Sequence, residues 1–175
     1  DFSTIGAFTS QPPLGAACES FGSTQIFNDI WFKWTPTCDT LAQVSTCNQA
    51  DFDTRLAVYA EVCPELPGEE IACNDDGTGC TGFTSQLQFD AFKGVTYYIR
   101  VGSFGATASG TGILSLCGCD IECPELPACG VPGTGSCSEA NGTPYCEDAE
   151  CCDLVCSSDP FCCDTAWDQI CADTA

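Results

Sequence analysis

The sequence predicts a mainly β protein: an antiparallel jelly-roll-like β-sandwich over residues 1–116, a Pro/Gly/Cys linker over 117–136, and a small disulfide-stapled α-helical hairpin tail over 137–175. Three observations predict this. Residues 1–116 carry repeated period-2 alternation and no sustained 3.6-residue period. Of the 18 cysteines, only Cys18, Cys38, Cys47, Cys63, Cys73 and Cys80 precede residue 117. All 4 basic residues (Lys33, Arg55, Lys93, Arg100) also lie in the first part, while residues 117–175 hold few large apolar groups. A segment of that size needs cross-links to make up for a marginal core.

The strands follow in order. Phe2–Thr9 alternates like a strand. Gln25–Trp34 puts Ile30, Phe32 and Trp34 on one face and Trp31 and Lys33 on the other. Leu41–Thr46 comes next. Thr54–Glu61 sets Leu56 and Val58 against Ala57 and Tyr59, and Ser85–Phe92 is a further strand. Val95–Val101 sets Val95, Tyr97, Ile99 and Val101 against Thr96, Tyr98 and Arg100, and Gly112–Leu116 closes the set. Short strands with Gly, Pro, Asn and Asp between them fit an antiparallel sandwich. Trp34 reads as core, whereas Trp31 fits core and a sugar-stacking platform about equally. The basic residues sit inside strands and are expected to pair with carboxylates on a solvent face.

In the tail, Pro and Gly between residues 117 and 136 exclude helix and strand. Glu147–Ser157 and Pro160–Ala172 read as two short helices, the second opened by Asp159 and Pro160. Cys152 and Cys156 share a face with Ala149, and Cys163 and Cys171 share one with Trp167 and Ile170. Cys-Pro-Glu-Leu-Pro occurs at 63–67 and again at 123–127, too short to mark a structural repeat.

Composition excludes several function classes. A formal charge of −21, from 4 basic and 25 acidic residues, opposes binding to nucleic acid or an anionic membrane. With 0 His there is no Ser-His-Asp or Cys-His catalysis and no His-ligated zinc. No apolar run reaches the length of a membrane span, no signal peptide is present, and Asp1 reads as close to a processed N-terminus. Cysteine at this density marks a disulfide scaffold made for an oxidising, extracellular setting.

The even cysteine count predicts nine intrachain disulfides, divided between the two parts. Cys38–Cys47 fits the end of one strand, a turn and the next strand. Cys63–Cys73 would close a Pro-rich loop, and Cys18–Cys80 follows by elimination. The remaining cysteines pair within the tail. The vicinal pairs Cys151-Cys152 and Cys162-Cys163 favour cystine over a zinc or iron–sulfur centre in such a setting.

Calcium is the one cofactor the sequence raises; none is required. Cys73-Asn-Asp-Asp-Gly-Thr-Gly-Cys80 offers hard oxygen ligands on a turn, with Asp29, Asp51 and Asp53 beside strands that could reach it. The same letters fit an Asx-rich turn without a metal. If an ion is held, Asp53, Asp75 and Asp76 are the first choices. Asn141-Gly-Thr143 is both an N-glycosylation acceptor sequence and a plain Asn-Gly turn. O-glycans on Ser and Thr have no locating motif.

Phe2-Ser-Thr-Ile-Gly-Ala, Asn28-Asp-Ile-Trp31, Phe52-Asp-Thr-Arg-Leu-Ala-Val-Tyr59, Ala72-Cys-Asn-Asp-Asp76 and Tyr98-Ile-Arg-Val-Gly102 occur in that order. The series resembles bacterial pre-peptidase C-terminal-like domains, in the cysteine-containing variety of large secreted proteins, over nearly all of residues 1–116. The resemblance implies a jelly-roll-like sandwich that is not itself a catalyst and serves targeting, surface attachment or substrate binding. The tail is similar to a cysteine-rich motif of the same kind of protein. No catalytic domain is attached, a departure from the usual family context.

Three function classes follow. The first is a non-catalytic bacterial secreted or cell-surface module that self-associates into a homo-oligomer, polymer or filament by strand addition, with Phe2, Ile5 and Phe8 at the contact. The second is a calcium-assisted carbohydrate- or ligand-binding module, with Trp31 and Tyr59 near Asp51 and Asp53. The third and weakest is a carboxylate-dependent hydrolase.

Overall fold

The structure is a computed structural model that describes residues 1–119, 121 and 128–175. The second Cys-Pro-Glu-Leu-Pro copy, at 123–127, and part of the expected linker lie outside the described residues. The protein is mainly β with antiparallel sheets, followed by short helices stapled by disulfides, in two compact units, Asp1–Cys123 and Pro124–Ala175.

In the first unit, β2 (Phe27–Trp34), β7 (Tyr97–Ser103), β4 (Thr54–Ala60) and β5 (Ala72–Asn74) form one sheet in that spatial order. A second sheet runs β6 (Gln86–Ala91), β3 (Thr40–Ser45) and β9 (Ser115–Cys117). β1 (Phe2–Ser3) pairs with β8 (Thr111–Gly112). The expected alternation sets the faces. Leu56, Val58, Tyr97, Ile99 and Val101 meet Ala42, Val44, Leu87, Phe89 and Ala91 of the other sheet in one buried core, against which Ile30, Phe32 and Trp34 pack. The first unit runs past residue 116 because β9 takes the free edge of β3, pairing Gln43 with Cys117.

The opposite face of the four-stranded sheet is also buried, against the expectation of a solvent face. Leu14 and Ile26, from the connection before β2, cover Ala57 and Tyr59, with Trp31, Tyr98, Cys18 and Cys73 around them. This cover buries Arg100 and Arg55, 0% and 1% exposed. Arg100 makes an ion pair of 3.1 Å with Asp29 and donates to the carbonyls of Ser10, Pro12 and Ile26. Its guanidinium lies 5.4 Å from the Trp31 ring centre. Burial of such a charge is tolerable only with this degree of pairing.

The disulfides of the first unit differ from the expected set. Cys38–Cys47 does not form, because β3 lies extended between them and six residues at ~3.3 Å each hold the ends about 20 Å apart, beyond the reach of a disulfide. Cys38 bonds Cys119 instead, so the cysteines beyond residue 116 do not all pair within the tail as expected, and Cys47 bonds Cys80. Cys63–Cys73 and Cys18–Cys80 are replaced by Cys18–Cys73, since Cys73 on β5 faces the covering connection that carries Cys18. Cys63 is an exposed free thiol and Cys151 a half-buried one, so the expectation of nine bonds fails.

In the second unit, α1 (Ala149–Ser158) is capped by Asp148, whose carboxylate accepts from the Cys151 amide. The second expected helix is two: α2 (Phe161–Asp164) and α3 (Gln169–Thr174), the latter capped by Asp168. The break turns Trp167 fully inward and leaves Ile170 67% exposed, off the face it was expected to share. Cys129–Cys152, Cys137–Cys146, Cys156–Cys163 and Cys162–Cys171 surround the indole, whose Nε1 donates to the Cys137 carbonyl at 2.9 Å. Cystine and one tryptophan here replace the aliphatic core that a larger domain would build.

Candidate functional site

The β4–β5 register builds an acidic site at one end of the four-stranded sheet. Leu56 pairs with Asn74 and Val58 with Ala72, so continuing the ladder brings Asp75 opposite Arg55 and Asp76 beside Thr54. Asp53, immediately before β4, shares the Arg55 face by the two-residue period. One carboxylate oxygen from each of Asp53, Asp75 and Asp76 lies within 4.8 Å of the others.

The surrounding chain holds these groups in place. The Ser85 hydroxyl lies within hydrogen-bond reach of the Thr54 and Asp75 carbonyls. Asn74 Oδ1 accepts from the Gln86 amide at 2.9 Å, tying β5 to β6 and leaving this side chain out of the cluster. Gly77 has no room for a side chain, since a Cβ would stand 2.6 Å from Cys80 Sγ. Cys47–Cys80 then anchors the loop that follows.

Arg55 supplies the one positive charge. Its Nε is 3.9 Å from Asp75 Oδ1, and its other nitrogens donate to the carbonyls of Cys18, Ser23 and Gln25. Three carboxylates against one guanidinium leave a net charge of about −2 when all are ionised. Asp53 Oδ1 and Asp75 Oδ1 are buried without a hydrogen-bond partner, and Asp75 is only 8% exposed. Burial, then the charges of Asp75 and Asp76, push the Asp53 carboxyl from 3.8 up to about 6, with Arg55 opposing. Burial and Asp75 push Asp76 the same way. Burial lowers the Arg55 guanidinium, against the pull of the carboxylates.

Three phenylalanines complete the site. Phe21, Phe83 and Phe104, with the three aspartates, line a cavity of about 180 Å³. Phe83 accepts from the Thr54 amide through its carbonyl, and the Phe104 amide donates to the Asp53 carbonyl. Phe21 stands edge-on to Phe104 at 6.2 Å, and the Arg55 guanidinium lies 5.7 Å from the Phe104 ring centre. Phe21 and Phe83 occupy left-handed backbone, φ +46° and +57°, yet their rings are 84% and 65% exposed.

The structure thus brings together Asp53, Asp75 and Asp76. The two further carboxylates that the sequence set beside them do other work. Asp29 pairs with Arg100, and Asp51 accepts from the Thr111 amide and hydroxyl. Trp31 and Tyr59 are not a ligand platform: Tyr59 is 2% exposed and packs on Trp31 with ring centres 5.4 Å apart. Phe21, Phe83 and Phe104 went unrecognised, since each stands on a turn or at a strand end without periodicity. The pattern Asp-Thr at 53–54 with Phe-Thr at 83–84 becomes meaningful only through the pairing of those segments.

The other candidate residues are placed as follows. Phe2 is buried in its own core and β1 ends at Ser3, short of the expected Phe2–Thr9 strand. The Thr4 amide donates to Gly110, the Ala7 amide folds back on Thr4, and Gly6 has φ +79°, so the chain turns there. Ile5 and Phe8 are left 68% and 89% exposed. Asn141 Nδ2 donates to the carbonyls of Thr134 and Tyr145 while Oδ1 accepts from the Thr143 amide, the geometry of an Asx turn. A glycan on that nitrogen requires those bonds to open. Cys129, Cys152, Cys156 and Cys163 gather their sulfurs within 4.8 Å, but as two cystines, which offer no thiolate to a metal. No helix among the described residues is long and apolar enough to cross a membrane, and the disulfides point to an extracellular protein. No family model, curated protein or solved structure matches this chain.

Proposed function

We propose that this protein is a non-catalytic, secreted ligand-binding module that holds a calcium ion on Asp53, Asp75 and Asp76. The observation that carries the reading is the convergence of three carboxylates on a small cavity, with a buried Asp53 oxygen that has no partner. A net charge of about −2 is matched by one divalent cation, and hard carboxylate oxygens suit calcium. Burying such an oxygen without a partner is costly, and an ion would offset that cost. A resemblance to pre-peptidase C-terminal-like domains of bacterial secreted proteins, with their jelly-roll-like sandwich, supports an attachment or substrate-binding role. A hydrolase finds less support, since carboxylates that meet at one point leave no room for a scissile bond between them.

Thermal unfolding with calcium and with chelator tests the reading. Calcium is expected to raise the melting temperature of the native protein, and Asp75→Asn with Asp76→Asn to remove that rise. Equal melting temperatures in calcium and chelator overturn it.

A second reading, self-association, is favoured by Ile5 and Phe8, two exposed apolar side chains beside a paired strand. β1 is paired within its own chain, so a swapped contact requires it to leave β8. Light scattering of the native protein and of a chain lacking residues 1–10 separates the outcomes: a monomeric native protein removes this reading.

A further inference from the structure

We propose that Phe21, Phe83 and Phe104 receive a neutral sugar whose neighbouring hydroxyls complete the coordination of the bound calcium, a proposal that rests on the calcium reading above. Calcium takes six to eight oxygens. Asp53 has one buried oxygen without a hydrogen-bond partner, Asp75 faces Arg55 Nε at 3.9 Å, and Asp76 adds a third carboxylate. Positions toward the cavity mouth therefore stay open to oxygens from outside the chain.

The mouth itself is aromatic. A ligand that fits must offer neutral oxygens a few ångströms apart and an apolar face beside them. A pyranose with adjacent hydroxyls does both, its C–H face lying on a ring while its edge reaches the ion. Charge selects among the alternatives: at −21 overall, the protein disfavours a phosphate or a polyanionic glycan, so the neutral class is left.

The backbone points the same way. Phe21 and Phe83 both occupy conformations that bulky L-residues rarely adopt, and both expose their rings at this one cavity. A glycine would fill either position without strain. Two phenylalanines in such backbone, meeting at the rim of one acidic site, fit rings with a binding task. Neither ring belongs to the buried core, so neither is needed to fold the sheet.

The test is retention of the native protein on an array of neutral glycans, in calcium and in chelator, alongside the calcium-dependent melting temperature. Calcium-dependent retention is expected, falling about tenfold or more in Phe83→Ala and in Phe21→Ala. Phe83→Trp should keep it. In each variant calcium should still raise the melting temperature, since a phenyl ring offers no ligand atom. A rise with calcium but no retention on any neutral glycan overturns the sugar proposal and leaves the ion. No rise with calcium overturns the ion reading as well. Tetramethylammonium that competes with calcium, without glycan retention, would instead make this an aromatic cage for an organic cation.

Discussion

Replacing Asp53 with asparagine isolates the tension built into the acidic site. In the free protein, Asp53 is held at about 6 against an ordinary 3.8 by burial and by Asp75 and Asp76. The folded state therefore binds that proton more tightly than the unfolded chain. Its opposition to folding is fully present above about pH 6 and is relieved as pH falls towards 3.8. For a sequestered group that displacement is worth about 3 kcal/mol, but Asp53 is partly open to water, and screening leaves about 1 kcal/mol. An amide of the same shape removes it, so Asp53→Asn should melt about 3 °C higher than the native protein in chelator above pH 7. Near pH 5 the gain should shrink, because the native carboxyl has begun to take up its proton. In calcium the advantage of the amide is cancelled. At a hundredfold excess over Kd, bound calcium adds about 2.7 kcal/mol; an affinity loss of about tenfold cuts this to about 1.4 kcal/mol. The two proteins should then melt together. Differential scanning calorimetry at two pH values, with and without calcium, checks every arm. An Asp53→Asn protein no more stable than the native one in chelator above pH 7 refutes the account of crowded, poorly solvated carboxylates.

Three other outcomes follow from the structure. Arg100→Met should destabilise the first unit by about 3–5 kcal/mol in chemical denaturation, because Asp29 is left buried and uncompensated; a loss under ~1 kcal/mol contradicts the buried pairing. Trp167→Ala should cost the second unit about 3–5 kcal/mol, read by near-ultraviolet circular dichroism during denaturation, since it empties the centre of the cystine cluster. Alkylation without reductant, followed by peptide mapping, should label exposed Cys63 rapidly and half-buried Cys151 more slowly; protection of both would return the chain to full pairing.

Strand positions and faces were largely legible because the main strands obey a simple period. Leu56, Val58, Ile99 and Val101 fall on the shared core as their alternation requires. The faces were read correctly but the cover was not: nothing periodic marks Leu14 or Ile26 as a lid, so Arg55 and Arg100 were expected in solvent. β5 escaped notice because three residues are too few to show a period. Asp53, Asp75 and Asp76 could be singled out by ligand chemistry, and the β4–β5 register is what brings them together. Disulfide partners depend on that same long-range register, which spacing along the chain does not encode. In the tail, the break between α2 and α3 follows from the inward turn of Trp167, a tertiary demand that overrides helical periodicity.

The overlap of the disulfides in the first unit has a consequence for damage. Cys18–Cys73 and Cys38–Cys119 together enclose every peptide bond from Cys18 to Cys119, and Cys47–Cys80 encloses many of them again. A protease that nicks the exposed connection between β4 and β5 cuts the backbone but frees no fragment. The nicked molecule gains the mass of one water and migrates as one species until a reductant is added. Its two pieces, one carrying Asp53 and the other Asp75, remain joined by all three disulfides. Outside the cell, where proteases are common and a cut chain is not resynthesised in place, such a molecule can be severed and still stay in one piece.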